Sequence, residues 1–300
     1  MASPTTAPAF KYLPPQMAER IKNLGINVCA PMEGNLQGLH QSPHFGSSVE
    51  FAEYREYAQG DPPNLIDWAV YAKSDRYVIR RFHEETNLRA VVLLDTSESL
   101  RFCENGIYDK LSYSCYLAAG LMYILINQGD SVGLMTFTDR INRSLEPAAS
   151  LEGLKPLLLG LEESEAKGAS DIEKALHAAA ETLRSKSLVI VISDFLQSPA
   201  FLSRGFQHLR HNGHDVTAFH VLDPAEIRFP FHGLMEFKEL ETGRRILVEA
   251  GEIQGRYIRQ VEKYLEDLRL AAGACGVSYH LVDTRLPIEH ALQKRAARDG

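Results

Sequence analysis

The sequence predicts an α/β fold with a doubly wound, mostly parallel sheet. Short apolar runs rich in Val, Ile and Leu alternate with stretches of helical spacing from residue 87 onward. Continuous apolar runs of this length suit strands buried on both faces, and their alternation with helices is typical of parallel sheets with right-handed crossovers. The chain has 300 residues, of which 45% are hydrophobic. That is enough for one large domain, or for one domain with a smaller one attached.

The elements of the main domain follow one another in a regular order. Strands are predicted at 91–94, 132–137, 188–192, 216–221 and 277–282, with 141–145 as a hairpin partner of the second strand. Helices are predicted at 110–128, 151–161, 171–183, 199–210 and 254–273. Pro287 is expected to open a terminal helix, since proline is favoured at the first position of a helix.

Two further regions are expected outside this alternation. Residues 1–86 are predicted to form an N-terminal arm followed by a small β-rich element of short aromatic and β-branched runs. Residues 87–300 then form the main domain. At about 224–250 the alternation is interrupted by an inserted β-hairpin, whose strands 234–240 and 245–248 are joined by a Glu-Thr-Gly-Arg turn.

Oxygen-bearing side chains follow two of the predicted strands. Asp95 closes the first strand, and Ser97 and Ser99 point the same way as Asp95 if the backbone stays extended. Asp194 follows a later strand and Ser170 begins a helix, both at the carboxyl edge where such sheets bind ligands. Hard divalent cations prefer oxygen ligands, and Mg²⁺ keeps several of its waters. The five residues are therefore a candidate metal site, for Mg²⁺ first, with Mn²⁺ and Ca²⁺ as alternatives.

Simpler structural roles stay open for these residues. The Asp-x-Ser-x-Ser segment that starts at Asp95 is also typical of a polar turn after a strand. Ser170 and Glu173 have the spacing of a capping box, which alone accounts for a serine there. Asp194 would equally cap the helix that follows it.

Charge and hydropathy exclude several classes of function. The formal net charge is -7, which argues against nucleic acid as the main partner because phosphate binding requires a basic face. The longest apolar run, at 117–126, is about half of the roughly 20 residues that a membrane-spanning helix needs, so no membrane insertion is expected. The N-terminus has neither the charged start nor the apolar core of a signal peptide. A cytoplasmic location is therefore expected.

The candidate metal site resembles a known one. Asp95, Ser97, Ser99, Ser170 and Asp194 are similar to the metal-ion-dependent adhesion site of the von Willebrand factor A fold, a Rossmann-like arrangement. Ser170 stands where that site usually has Thr, and serine keeps the oxygen atom. The resemblance implies that the five residues bind a divalent cation.

A narrower resemblance covers about residues 50–226. Its motifs are Glu-Phe-x-x-x-Arg-x-Tyr-x-x-Gly-Asp from Glu50, Ile-Asp-Trp from Ile66, Asp-Thr-Ser-Glu-Ser from Asp95, Ile-Ser-Asp from Ile192 and Leu-Asp-Pro-x-Glu from Leu222. They resemble the MoxR-associated family catalogued as domain of unknown function fifty-eight, although Pro62 and Leu100 depart from its usual Asp and Met. The resemblance implies an adaptor or chaperone-like role beside a MoxR-type AAA+ ATPase, in the assembly or maturation of other proteins.

The first two of these motifs also suggest a structural role. Arg55, Asp61, Asp67 and Trp68 are predicted to form a buried ion pair and an aromatic plug that lock the small β-rich element to the main domain, since buried charges are normally paired. Contact with a partner protein is the alternative role of this stretch.

Three functions are compatible with the sequence. The favoured one is a non-enzymatic, metal-dependent protein-interaction module, in which an acidic side chain of a MoxR-type AAA+ ATPase or of its client completes the cation's shell. The second is a metal-dependent phosphatase or hydrolase with Asp95 as nucleophile, but Ser97 stands where haloacid-dehalogenase-like phosphatases have a second Asp. The third is a structural interaction module whose metal site is vacant.

Overall fold

A computed structural model describes most of the chain in two compact units. The described residues are 10–22, 24, 49–58, 66–84 and 88–293. The smaller unit comprises residues 31–87, and the larger comprises residues 1–30 together with 88–300.

Helices and strands alternate through the described residues. In chain order the elements are α1 (Pro15–Ile21), β1 (Val49–Glu56), α2 (Trp68–Ser74), β2 (Val78–Glu84), β3 (Arg89–Asp95), α3 (Lys110–Asn127), β4 (Ser131–Phe137), β5 (Ile141–Ala148), α4 (Leu151–Glu162), α5 (Ile172–Thr182), β6 (Leu188–Ser193), α6 (Pro199–His211), β7 (Asp215–Leu222), α7 (Pro224–Arg228), β8 (Leu234–Lys238), β9 (Arg245–Glu249), α8 (Ala250–Ala274), β10 (Ser278–Asp283) and α9 (Ile288–Gln293). None of the described helices combines the length and the apolar character needed to cross a membrane.

The larger unit is built around a six-stranded sheet with the strand order β10-β7-β6-β3-β4-β5. Its neighbouring strands are parallel except for β4 and β5, which form an antiparallel pair. Strands β4 and β5 lie on one side of β3, and the later strands β6, β7 and β10 lie on its other side. The strand order therefore reverses between β3 and β6. These observations confirm the predicted mixed α/β fold with a mainly parallel sheet.

Helices cover both faces of this sheet. Side chains along each strand alternate between the faces, so one strand contributes to the core on each side. On one face, Val92 and Leu94 belong to a core shared with α1, α3, α4 and α9. On the other face, Val91 and Leu93 belong to a core shared with α5, α6 and α8. Strand β3 is therefore buried on both faces, as is typical of the centre of a parallel sheet. Its last residue, Asp95, is fully buried as well.

The N-terminal segment around α1 contributes to the first of these cores. Tyr12, Met17 and Ile21 are buried there together with residues of α3 and α9. Tyr12 also packs edge-on against Tyr116, with ring centroids 5.1 Å apart. The described part of the predicted N-terminal arm thus packs into the larger unit.

The smaller unit contains the antiparallel pair of β1 and β2 and the helix α2. Residues 66–71, predicted as part of a β-rich element, lead into a helix instead. The reason is that the Asp67 carboxylate accepts hydrogen bonds from two amides of the first helical turn, at 3.0 and 3.2 Å, as an N-cap residue does. Trp68 is 57% exposed, and its role as an aromatic plug stays a prediction. Asp61, a predicted member of the buried ion pair, lies outside the described residues.

The predicted inserted hairpin is formed by β8 and β9, which pair in the antiparallel sense. Helix α8 starts at Ala250, directly after β9, instead of near residue 254. The reason is local, because the Ala250 amide donates a hydrogen bond of 2.8 Å to the Gly233 carbonyl at the start of β8. The base of the hairpin and the start of α8 are thus held together.

Candidate functional site

Two aspartates lie at the carboxyl ends of neighbouring parallel strands. Asp95 is the last residue of β3, and Asp194 directly follows β6. Asp95 is 0% exposed and Asp194 is 1% exposed. Since the strand order reverses between these two strands, the carboxylates lie where open α/β sheets bind ligands.

The carboxylate of Asp95 is surrounded by hydrogen-bond donors. Its Oδ1 atom accepts a hydrogen bond from the backbone amide of Ser97 at 2.8 Å. Its Oδ2 atom accepts hydrogen bonds from the hydroxyls of Ser193 at 2.6 Å and Ser170 at 3.1 Å. The hydroxyls of Ser97 and Ser99 are 3.1 Å apart. Four of the five predicted site residues therefore form one hydrogen-bonded group.

Asp194, the fifth predicted residue, has a different partner. Its Oδ2 atom accepts a hydrogen bond from Nζ of Lys110 at 2.8 Å, and the same Nζ donates to Oε1 of Glu226 at 2.7 Å. Lys110 is the first residue of α3 and is only 1% exposed. The charge of Asp194 contributes to the raised pKa of Asp95. The five predicted residues thus meet at one edge of the sheet, with Asp194 held by a buried lysine.

The simpler capping roles of Ser170 and Asp194 are wrong. Helix α5 is capped by Asp171, whose carboxylate accepts a hydrogen bond of 3.1 Å from an amide of the first turn. The predicted capping box of Ser170 with Glu173 is therefore not formed, and the Ser170 hydroxyl donates into the candidate site. The N-cap position of α6 is Ser198, so Asp194 does not cap that helix either.

Four further residues belong to the site although the sequence did not predict them as site residues. They are Lys110 and Glu226 beside Asp194, Ser193 beside Asp95, and Glu241 in the turn between β8 and β9. The sequence does indicate a role for Lys110. This residue begins a strongly apolar helix, and a buried lysine requires an acidic partner. Which acidic residues fill that role depends on contacts between distant parts of the chain.

Burial and mutual repulsion govern the ionisation of the site. Burial, and then the charge of Asp194, raise the pKa of Asp95 to about 7. Burial alone lowers the pKa of Lys110, but Asp194 and Glu226 outweigh it, so this pKa lies above its ordinary value. Burial also raises the pKa of Glu226. Asp194 and Glu226 share the Lys110 ammonium group, and Asp95 adds a further acidic side chain that Asp194 influences. This arrangement favours the binding of an additional cation.

The donor set fits a hard cation such as Mg²⁺. The side chains around Asp95 offer hydroxyl oxygens, which Mg²⁺ accepts as ligands. Neighbouring ligand atoms in an octahedral Mg²⁺ shell are about 2.9 Å apart, close to the 3.1 Å between the Ser97 and Ser99 hydroxyls. The buried Oε1 atom of Gln197 accepts no hydrogen bond from any described residue. Among the described residues, no group of three His, Cys, Asp or Glu side chains is placed to hold a metal ion, so a cation here depends on the serine hydroxyls.

We expect Ser193→Ala to lower the free energy of unfolding by about 1–3 kcal/mol. The substitution removes the 2.6 Å hydrogen bond to the buried Asp95 and the acceptor of the Phe195 amide. Urea unfolding at neutral pH measures the loss. Ser203→Ala is the matched control, because that hydroxyl donates only to a carbonyl of its own helix, and its loss should stay below about 0.5 kcal/mol. Equal losses in the two variants would contradict the role of Ser193.

Mycobacterial relatives match most of the chain. Uncharacterized protein Rv1480 from Mycobacterium tuberculosis (strain ATCC 25618 / H37Rv) is 23% identical over 267 residues, which are 87% of this chain and 83% of the relative. Uncharacterized protein Mb1516 from Mycobacterium bovis matches with the same identity, 23%, and the same coverage. The alignments extend well beyond the candidate site.

Two solved structures are similar to a large part of the chain. The conserved hypothetical protein BatB from Bacteroides thetaiotaomicron is 17% identical, and the match covers 70% of this chain and 96% of BatB with a TM-score of 0.47. An aerotolerance-related membrane protein from Bacteroides fragilis NCTC 9343, with multiple mutations to serines, is 18% identical, with coverages of 70% and 98% and a TM-score of 0.46.

A family profile covers the central part of the chain. The family described as "Protein of unknown function DUF58" matches residues 53–265. That span is more than half of the chain and contains every residue of the candidate site. The match confirms the resemblance to domain of unknown function fifty-eight, and the chain belongs to the DUF58 family of proteins of unknown function.

Proposed function

We propose that this protein is a non-enzymatic, metal-dependent protein-interaction module. A divalent cation, with Mg²⁺ as the favoured ion, would be held at Asp95, Ser97, Ser99, Ser170 and Asp194. The set resembles the metal-ion-dependent adhesion site of the von Willebrand factor A fold. A mainly parallel, Rossmann-like sheet with the residues at its carboxyl edge is compatible with that resemblance.

The observation that supports this proposal most is the convergence of neutral hydroxyls on a buried pair of carboxylates. Ser170 and Ser193 both donate to Oδ2 of Asp95, and the charge of Asp194 helps to raise the pKa of that carboxyl. Repulsion between the two acids favours a cation between or beside them. Because the other oxygen donors are neutral, the cation would keep positive charge and attract an acidic side chain of another protein.

The surroundings of Asp95 favour recognition over catalysis. The side chain is completely buried, and both carboxylate oxygens accept hydrogen bonds. A nucleophile needs an oxygen atom that a substrate can reach. Ser97 also provides a hydroxyl where a haloacid-dehalogenase-like phosphatase needs a carboxylate. These features support the interaction module over the metal-dependent hydrolase.

The proposed partner is a MoxR-type AAA+ ATPase or one of its client proteins. This choice rests on the family resemblance, which implies work beside such ATPases in the assembly or maturation of other proteins. The chemical requirement is narrower, because the partner must present an acidic side chain to the serine-lined edge of the sheet.

We expect binding of a MoxR-type ATPase to require both Mg²⁺ and Asp95. Pull-down with purified proteins should succeed in Mg²⁺, and most of the captured ATPase should be lost with a chelator or with Asp95→Ala. Mg²⁺ at about 100 times its Kd should also raise the free energy of unfolding of the wild type by about 2.7 kcal/mol. The matched control is Asp215→Ala, an exposed strand-terminal aspartate at the opposite edge of the sheet that pairs with Arg210.

Other outcomes would support the competing functions. Capture that a chelator and a folded Asp95→Ala protein both leave unchanged would contradict metal-dependent recognition. Capture without any stabilisation by Mg²⁺ would favour the module with a vacant site. Turnover of a phosphate ester that Asp95→Asn abolishes would favour the hydrolase.

A further inference from the structure

The turn of the inserted hairpin brings another carboxylate to the candidate site. Glu241 lies between β8 and β9 and lines a cavity of about 220 Å³ together with Ser170, Ser193 and Gln197. Its side chain is half-buried, although most of the two hairpin strands is exposed. Burial raises the pKa of Glu241. Glu241 therefore lines the same cavity as Ser170 and Ser193.

Aromatic packing of strand β8 fixes the position of this turn. Phe237 in β8 stacks on Phe229 with ring centroids 5.5 Å apart, and Phe229 packs against Tyr257 of α8 at 4.6 Å. The turn itself is closed by a hydrogen bond of 2.9 Å from the Gly243 amide to the Glu239 carbonyl. Gly243 has a φ of 71°, which glycine adopts without strain. The approach of the turn to the site is thus built into the fold.

The charges at the site make this approach unfavourable unless positive charge is added. Asp194 acts on Glu241 and contributes to its raised pKa. The nearby ammonium group of Lys110 is already bonded to Asp194 and Glu226. A divalent cation beside the serine hydroxyls would turn the repulsion of Glu241 into attraction.

An unsatisfied oxygen atom in the same cavity also indicates a ligand. The side-chain amide of Gln197 donates to the Ser170 carbonyl at 2.9 Å, which fixes its orientation. Its Oε1 atom is buried and has no hydrogen-bond donor among the described residues. Buried acceptors normally have a partner, and a cation or one of its waters would supply it.

We propose that Glu241 is itself a ligand of the cation at this site, so that the hairpin turn occupies the position of a partner's acidic side chain. This inference rests on the proposed function, because it requires a cation held by Asp95 and the serines. The turn at residues 239–244 is then an internal competitor, and an acidic partner binds by displacing it.

Binding of Mn²⁺ to the full chain tests this inference. In calorimetric titrations at pH 7.5, we expect Glu241→Gln to bind Mn²⁺ at least about tenfold more weakly than the wild type, and Asp95→Ala to bind none measurably. Glu239→Gln is the matched control. It makes the same charge change in the same turn, while Glu239 contacts the Thr242 hydroxyl within the turn, and its affinity should stay within about twofold of the wild type.

Hydrogen exchange gives a second readout on the same proteins. Mg²⁺ should slow the exchange of the amides at 239–244 in the wild type and leave them unchanged in Glu241→Gln. Equal Mn²⁺ affinity of the wild type and Glu241→Gln, with Asp95→Ala inactive in binding, would overturn this inference alone. Equal weakening by Glu239→Gln would also overturn it, since only net charge would then matter. No Mn²⁺ binding by the wild type would overturn the proposed function as well.

Discussion

We expect Lys110→Met to lower the free energy of unfolding by about 3–5 kcal/mol. Lys110 is 1% exposed, and its Nζ bonds to both Asp194 and Glu226. Methionine keeps a flexible apolar chain of similar length beside the Phe102 ring, but it leaves two carboxylates in a buried pocket without their cation. Urea unfolding at neutral pH, without added divalent cation, measures this loss.

The control for this substitution is an ion pair at the surface. Lys174 pairs with Asp171 at 2.6 Å, but its side chain is 73% exposed. Water and salt screen such a pair, so Lys174→Met should cost less than about 1 kcal/mol. If the two methionine variants lose similar stability, the buried cluster around Lys110 does not have the energetic role that its geometry indicates.

The sheet could be predicted because its determinants are local. Strand β3 follows from a short apolar run that ends in Asp95, and its burial on both faces follows from the absence of polar alternation. The same reasoning located Ser97, Ser99 and Asp194, since carboxyl ends of parallel strands share one edge of the sheet. Their metal binding stays a prediction.

The partners within the site could not be predicted, because they depend on contacts between distant segments. Lys110 and Asp194 are 84 residues apart in the chain, and no spacing rule connects them. Glu241 lines a cavity of the site together with Ser170 and Ser193, which are distant in the chain, whereas its sequence indicates no more than a polar turn. The assignment of residues 66–71 failed for a different reason, since one Asp67 carboxylate is enough to start a helix in an otherwise strand-like run.

Without divalent cations, the wild type should gain stability relative to Asp95→Asn as the pH falls from about 7 to about 4. Asp95 has a pKa of about 7 in the folded protein, against about 3.9 for an unperturbed aspartate. Between these values the folded protein binds a proton that the unfolded chain does not bind, so stability decreases as the pH rises. Above pH 7 both states are ionised and this stabilisation is lost. The full change amounts to about 4 kcal/mol.

The comparison with Asp95→Asn isolates this effect, because the other titrating groups are present in both proteins and largely cancel in the difference. Urea unfolding at several pH values between 4 and 8 measures it, and a difference that does not vary with pH would contradict the raised pKa. Mg²⁺ should change the outcome, since a bound cation favours the ionised carboxylate. Saturating Mg²⁺ is therefore expected to move the pH dependence of the wild type toward lower pH and to leave that of Asp95→Asn unchanged. The direction of that movement links the buried carboxylate to the proposed metal site.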